Sequence, residues 1–413
     1  MKNWRESNEF RLMQPLLRPT DEIEMPEIAT GAFKLKRDSK IYKVRRLCGE
    51  HDKQALEIHK HLLTLGWDLP KVYGIETHET TTYSFVEWIE GETGLQLRYR
   101  LGRIPEEHYY KLGQYASKLH NIVWQGKNVS VLNWWPRNIL IKSDGSVMYL
   151  DLNKLYLTNF PECFTIKTIV AETPSVDRSQ ANAFLKGYRE NREYDFKKII
   201  IKYWSMFRIY HDIYLDGELV IRGARPFKKR LEMMNLPKNM TGMYILDLGY
   251  ANGMFSLECA NRGAKRVFAY DSNYVNIGSA HHRISDIGKL MAVYHGYTED
   301  NLLYKHCGID TDWFIEHHIP DSLRYMPKKK YDIIFALAIA DHLSQERKPK
   351  FFKMLSDSTD CLYYESRMGG RRELDEVRLK KLTTFTNFEY LGNASCNQNK
   401  FRYSMFKCTR GNI

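Results

Sequence analysis

The segment Tyr244–Ala264, YILDLGYANGMFSLECANRGA, constrains the fold more than any other stretch of the chain. Its opening run, Tyr244–Leu248, is apolar enough to be a strand buried on both faces, as in a parallel sheet. The run ends in Asp247 and Gly249, and a turn punctuated by Gly253 follows. Glycine at these places permits a tight turn and the close backbone approach that a nucleotide-like ligand requires. Met254, Leu257 and Ala260 then share one face of a helix that Gly263 terminates. Arg266–Ser272 makes a second strand. Asp271 at its tip, about twenty residues after the turn, is placed to accept both hydroxyls of a ribose.

Such a site suits either a dinucleotide or S-adenosylmethionine, and the turn separates the two. Dinucleotide turns set a pyrophosphate on the helix N-terminus with GxGxxG spacing. Here Ala251 stands at the middle glycine position, and no glycine follows three residues after Gly253. Asp247 would repel a pyrophosphate but could hold an ammonium group. The segment Asp247-x-Gly249-x-x-x-Gly253 resembles motif I of the class I S-adenosylmethionine-dependent methyltransferases. That resemblance implies cofactor contacts from Asp247, Gly249, Tyr250, Gly253, Asp271, Ser272 and Leu337.

Further elements agree with it. Lys289–His295, Tyr331–Ala338 and Cys361–Ser366 are expected as third, fourth and fifth strands, with helices over Gln345–Leu355 and Leu374–Leu382. Phe388–Asn393 and Arg402–Thr409 close the chain as a strand pair. Strands alternating with helices predict a parallel sheet with crossovers. The resemblance, which covers Pro226 to the C-terminus, implies an α/β fold with a Rossmann-like seven-stranded sheet whose last strand is antiparallel. The long connection Gly296–Lys330 is expected as an insertion covering the substrate.

Composition sets the outer bounds. A chain of 413 residues suits two domains of roughly 150–250 residues each. No segment approaches an uninterrupted membrane span, and MKNWRESNEF lacks the apolar core of a secretory signal. Seven scattered cysteines without a CxxC pair suit a reduced, cytoplasmic protein rather than a zinc site or a disulfide framework. A formal charge of +12, with basic clusters at Lys34–Arg46, Arg222–Arg230, Lys328–Lys330 and Arg371–Lys381, favours anionic partners. Solvated surface explains any one cluster equally well.

The N-terminal half has another pattern. Ile41–Val44 is a strand carrying Lys43, Asp52–Leu65 a helix carrying Glu57, and Val72–Ile75 and Thr81–Glu87 alternate like paired strands. A helix over His108–His120 precedes VLNWWPRNILIKSDGSVMYLDLNKLY. There Asp144-Gly145 turns a hairpin whose second strand ends before Asp151. This half, from Ala29 to Tyr214, resembles the α+β protein-kinase-like fold of aminoglycoside, choline and lipopolysaccharide-sugar kinases. The resemblance implies that Lys43 neutralises ATP phosphates and pairs with Glu57, and that Asn138 and Asp151 hold magnesium. Asn133 stands where the family has its catalytic aspartate and Val131 where it has a histidine. An amide cannot accept a substrate proton as a carboxylate does, which implies a nucleotide- or substrate-binding pseudokinase rather than an active kinase. Asp195–Tyr214, apolar at helical spacing, is expected as a helical junction, giving domains at 1–215 and 216–413.

For methyl transfer an acceptor hydroxyl must be aligned and deprotonated. The fourth strand ends in Asp341-His342 and the fifth in Glu365. His342 is the first choice for general base, with Asp341 or Glu365 orienting it. His281 and His282 read as helix surface. The (D/N)PP(Y/F) motif of nucleic-acid amine methylation is missing, and ALAIADH stands instead. No His/Asp/Glu set has metal-ligand spacing, so methylation is expected to need no metal. Three readings follow: O-methylation of a small-molecule, sugar or glycan acceptor, RNA methylation with the N-terminal half as a basic binding module, or a bifunctional kinase–methyltransferase. The oligomeric state is not legible.

Overall fold

The computed structural model describes residues 17–24, 32–78, 81–131, 134, 136–151, 154–169, 176–204, 209–271, 286–307, 314–315, 319–324, 326–366, 372–396 and 399–411. The chain divides into two compact units, Met1–Ile169 with Thr173–Tyr194, and Val170–Glu172 with Asp195–Ile413. Mixed α/β structure fills both. Among the described residues no helix is long and apolar enough to cross a membrane.

In the first unit, alternating strands close into a five-stranded antiparallel sheet. β1 (Glu22–Glu24), β2 (Ala32–Arg37), β3 (Lys40–Leu47), β4 (Val72–His78) and β5 (Thr81–Glu87) lie in the order β1-β2-β3-β5-β4. Helix α1 (Gly49–Thr64) connects β3 to β4. Strand periodicity sends Leu35, Val44, Tyr83 and Phe85 into a small core. Lys43 and Arg45, two apart on β3, share the other face.

Helix α2 (Glu106–His120) precedes a hairpin of β6 (Ile139–Ile141) and β7 (Val147–Tyr149), turned at Asp144-Gly145 as its sequence requires. Helix α3 (Arg178–Arg189) starts in a capping box, where Asp177 accepts from the Gln180 N–H at 2.9 Å and Gln180 answers the Asp177 N–H at 2.9 Å. It lies unusually close to α2. A Cβ added to Gly113 would stand 2.1 Å from the Phe184 carbonyl oxygen, and one on Gly187 would stand 2.0 Å from that of Tyr110.

The second unit opens with helix α4 (Phe196–Trp204), shorter than the expected helix over Asp195–Tyr214, whose end is instead strand β8 (Ile213–Leu215). β8 pairs with β9 (Glu218–Ile221), and helix α5 (Phe227–Met234) leads into the main sheet. Its strands are β10 (Tyr244–Leu248), β11 (Arg266–Asp271), β12 (Leu302–His306), β13 (Ile333–Leu337), β14 (Cys361–Ser366), β15 (Asn387–Cys396) and β16 (Asn399–Thr409). They lie in the order β12-β11-β10-β13-β14-β16-β15. The first five are parallel, and β16 runs antiparallel to both β14 and β15. β10 and β13 are central and almost wholly buried, as their apolar runs demand.

Crossovers α6 (Met254–Asn261), α7 (Asp286–Tyr294), α8 (Lys348–Ser358) and α9 (Arg372–Leu382) alternate with these strands. Phe351, Phe352 and Leu355 of α8 pack into the core under β13 and β14.

Two expectations are corrected. Lys289–His295 is not the third strand: residues through Tyr294 belong to α7, with Leu290, Met291 and Ala292 buried. The third strand is β12, inside the stretch expected to be a substrate-covering insertion. A five-residue apolar run, Leu290–Tyr294, fits either periodicity, and only tertiary packing decides between them.

Candidate functional site

Strand order reverses on either side of β10, since β11 continues one way and β13 returns on the other. Such a switch point opens a crevice at the carboxyl ends of the strands. The turn following β10 lies there. Gly249, Ala251 and Gly253 have φ of 74°, 52° and 77°, all left-handed, which costs glycine nothing and alanine something. The Gly249 N–H donates to the Tyr270 carbonyl at 2.8 Å, and the Gly253 N–H donates to that of Tyr250 at 2.7 Å.

Asp271, at the tip of β11, accepts the Ala251 N–H at 2.7 Å through Oδ2. The spacing thus brings together the turn and the acid, Asp247 to Gly253 with Asp271. Asp247 is buried and accepts from Ser256 Oγ. Burial pushes its carboxyl up to about 7, with Asp271 adding to the rise and the Ser256 bond opposing it. Leu337 ends β13, nearly buried, and Tyr250 is buried in the turn. Ser272 lies outside the described residues.

The glycines serve packing as much as access. A Cβ on Gly253 would meet the Tyr304 ring at 2.7 Å, and one on Gly249 would meet Ile339 Cδ1 at 3.1 Å. Tyr304 donates its hydroxyl to the Gly253 carbonyl at 2.8 Å and lies 4.9 Å from the Tyr250 ring. The close approach expected of a ligand at Gly253 is therefore made by β12.

The residues expected to handle an acceptor are arranged differently from the sequence reading. His342 is exposed on a 3-10 turn, Ala340–His342, just past β13. The Asp341 side chain lies outside the described residues. Glu365, expected to orient His342, is fully buried and engaged elsewhere: Arg225 Nη1 donates to both its oxygens at 2.9 Å, and Arg230 Nη2 donates to Oε2. With both oxygens held by these guanidiniums, Glu365 is not available to a histidine.

The same cluster continues to the glycine turn. Arg230 Nη1 donates to His211 Nε2, His211 Nδ1 faces Asn252 Oδ1 at 2.9 Å, and Asn252 Nδ2 donates to the His211 carbonyl at 2.8 Å. These bonds fix His211 as the neutral Nδ1–H tautomer. Burial first, then Arg230 and Arg225, push its pKa well below the ordinary histidine value. Arg225 also lies over the Tyr403 ring at 3.7 Å. None of His211, Arg225, Arg230 or Asn252 was expected. The only hint was the basic cluster at Arg222–Arg230, which reads as surface charge until three-dimensional burial is known.

In the first unit, Lys43 is half-buried and donates to the Leu150 carbonyl at 3.3 Å. Burial lowers its pKa to about 8, against the pull of Asp151. Asp151 pairs with Arg45 through Oδ1, and Asn138 is buried on the turn Pro136–Asn138 before the hairpin. Lys43, Leu150 and Asp151 thus converge. Glu57 does not join them. It is exposed and pairs with Lys60 at 2.8 Å, because the buried face of α1 is formed by Ala55, Leu56, Ile58, His59 and Leu62. Asn133 and the pair His281-His282 lie outside the described residues.

In the second-unit site the acid at the tip of β11 meets left-handed turn backbone, and the buried Asp247 lies in the strand before that turn. Magnesium does not fit the Asn138–Asp151 pair, because a guanidinium occupies Asp151. An open cleft of about 200 Å³ lined by Tyr244, Lys265, Arg266, Phe268, Asp300 and Asn301 lies at the opposite, amino ends of β10 and β11, away from the turn.

No protein-family model matches the chain, and no curated protein matches it. Among solved structures, a spectinomycin phosphotransferase bound to AMP is similar over 44% of this chain and 79% of its own, at 12% identity and a TM-score of 0.35. At that score the likeness decides neither fold nor ligand.

Proposed function

We propose that residues 195–413 form an S-adenosylmethionine-dependent methyltransferase whose acceptor atom is an oxygen of a small-molecule, sugar or glycan substrate. One observation carries this reading. At the switch point of a sheet with five parallel strands and a closing antiparallel pair, Asp271 is bonded at 2.7 Å to the turn that follows β10. When bound, the cofactor supplies an electrophilic methyl group.

The chain's own residues do the rest. Asp271 accepts ribose hydroxyls, with Ser272 beside it in sequence. Asp247, held back from ionisation by burial, offers a carboxyl oxygen toward the cationic amino-acid end without placing a full charge in the interior. Gly249, Tyr250, Gly253 and Leu337 supply the backbone and apolar walls. The exposed imidazole of His342, next to Asp341, takes the acceptor proton as the methyl arrives.

The first unit we read as kinase-like in form and as a nucleotide- or substrate-binding module. Phosphoryl transfer is disfavoured by three departures: Arg45 on Asp151, Glu57 on Lys60 and Asn133 in place of an acid. Fold does not fix function, so this part stands on the residues alone.

Titration calorimetry of the full-length protein with S-adenosylmethionine, and separately with ATP and magnesium, tests both halves. Asp271→Ala should weaken S-adenosylmethionine binding roughly 10- to 100-fold, the loss of one or two charge-assisted hydrogen bonds. Unchanged affinity would refute the ribose assignment. Magnesium-dependent ATP turnover by the natural protein would refute the non-kinase reading.

A further inference from the structure

A buried polar cluster joins three distant parts of the second unit. Asn252 comes from the glycine turn, Glu365 from the tip of β14, and His211, Arg225 and Arg230 from the segment between α4 and β10. All five are at most 3% exposed. Asn252 makes two complementary bonds to His211, one through the ring and one through the carbonyl. His211 accepts from Arg230, and Arg230 and Arg225 both bind Glu365. His211 also packs edge-on against the Phe255 ring at 5.1 Å, just inside α6.

Breaking a buried hydrogen bond of an amide or guanidinium is costly, so the bonds of Asn252, His211, Arg225 and Arg230 resist rearrangement, although the buried Arg230 Nε makes none. The cluster fixes the position of the turn backbone relative to β14.

We propose that Asn252 and His211 are positioning residues that set the 249–253 turn for the cofactor. Through Arg230 and Glu365, residues 209–230 clasp two rims of the crevice, the turn after β10 and the tip of β14. This role rests on the cofactor reading above. It gives the basic segment before β10 a function in the site, not in charge display. Neither residue touches the reacting atoms.

The test uses the full chain with Asn252→Ala, His211→Gln, the double variant and the milder Arg230→Lys. A control, Phe352→Leu, lowers stability in the core of α8 without touching the turn. Two quantities are read: S-adenosylmethionine affinity by calorimetry, and amide hydrogen exchange at Gly249, Ala251 and Gly253 in the ligand-free protein. Each single variant should weaken binding at least tenfold and speed exchange at those amides at least tenfold. The double variant should lose no more than the worse single, as expected of two groups acting through one contact. Arg230→Lys should show the same effects in smaller measure.

Phe352→Leu, at an equal loss of melting temperature, should leave affinity within twofold. Additive losses, affinity loss that merely follows melting temperature, or unchanged exchange at the three amides would each overturn the proposal. Failure of the natural protein to bind S-adenosylmethionine would instead refute the cofactor reading. The exchange measurement would then still decide whether the clasp holds the turn.

Discussion

At the scale of single residues, backbone strain collects where the two central strands end. Ala251 (φ 52°) follows β10, and Ala338 (φ 60°) follows β13. A left-handed alanine costs about 1–2 kcal/mol, and glycine recovers most of that at an entropic cost of about 0.5–1 kcal/mol. Ala251→Gly should therefore raise the ligand-free stability of the second unit by up to about 1 kcal/mol, a few degrees in a thermal melt.

Asp247 gives a second residue-level outcome. Its pKa rises from an ordinary value near 3.8 to about 7 on folding, so the native state binds its proton more tightly than the unfolded chain. The stability it contributes is complete below pH 4 and is lost as pH climbs toward 7. Relative to Asp247→Asn, the natural protein should lose up to about 1.4 kcal/mol per pH unit across that window, and the difference should be flat on either side. Denaturant melts at pH 4, 5, 6, 7 and 8 would reveal it, and parallel curves would contradict the assignment.

The meeting of the Gly249–Gly253 turn with Asp271 was legible because one local stretch sets their spacing. His211, Arg225, Arg230 and Glu365 were not. Their partners come from 135 or 140 residues away along the chain in the Arg–Glu pairs, and a buried arginine has the same letter as a solvated one.

Elements were readable where pattern and length agreed. β10, with its strict apolar run, and β14 match the residues expected of them, whereas α7 and β12 do not. Leu290, Met291, Ala292 and Val293 carry no period of their own. β12, LLYKH, mixes polar residues into a strand that pairs with β11 on one side only. Glu57, expected by resemblance to pair with Lys43, does not, because the helix turns other residues inward.

Helix packing in the first unit depends on the Gly113 and Gly187 contacts, where backbone meets backbone. Gly113→Ala must push α2 and α3 apart, at a cost of about 1–3 kcal/mol for overpacking. A melting temperature within a degree of the natural protein's would show that the helices do not lie this close. The same contact explains why a glycine, Gly187, sits within α3 next to Tyr188.

For the molecule as a whole, each unit has its own core and its own sheet. Denaturant unfolding followed by tryptophan fluorescence and by circular dichroism should give two transitions rather than one. S-adenosylmethionine at a hundred times its dissociation constant should move one of them by about 2.7 kcal/mol and leave the other in place. One transition displaced as a unit would mean that the halves unfold together.

The buried Glu365 also limits how the protein can be shortened. A fragment opened just before β10 would retain all seven strands and Asp271, yet it would discard both guanidiniums. An orphaned carboxylate in that interior costs about 3–5 kcal/mol, a large part of what keeps a domain of this size folded. A portable version must therefore begin ahead of Arg225, and gene fusions or crystallisation trials cut between Arg230 and the sheet would yield protein that collapses without ordering.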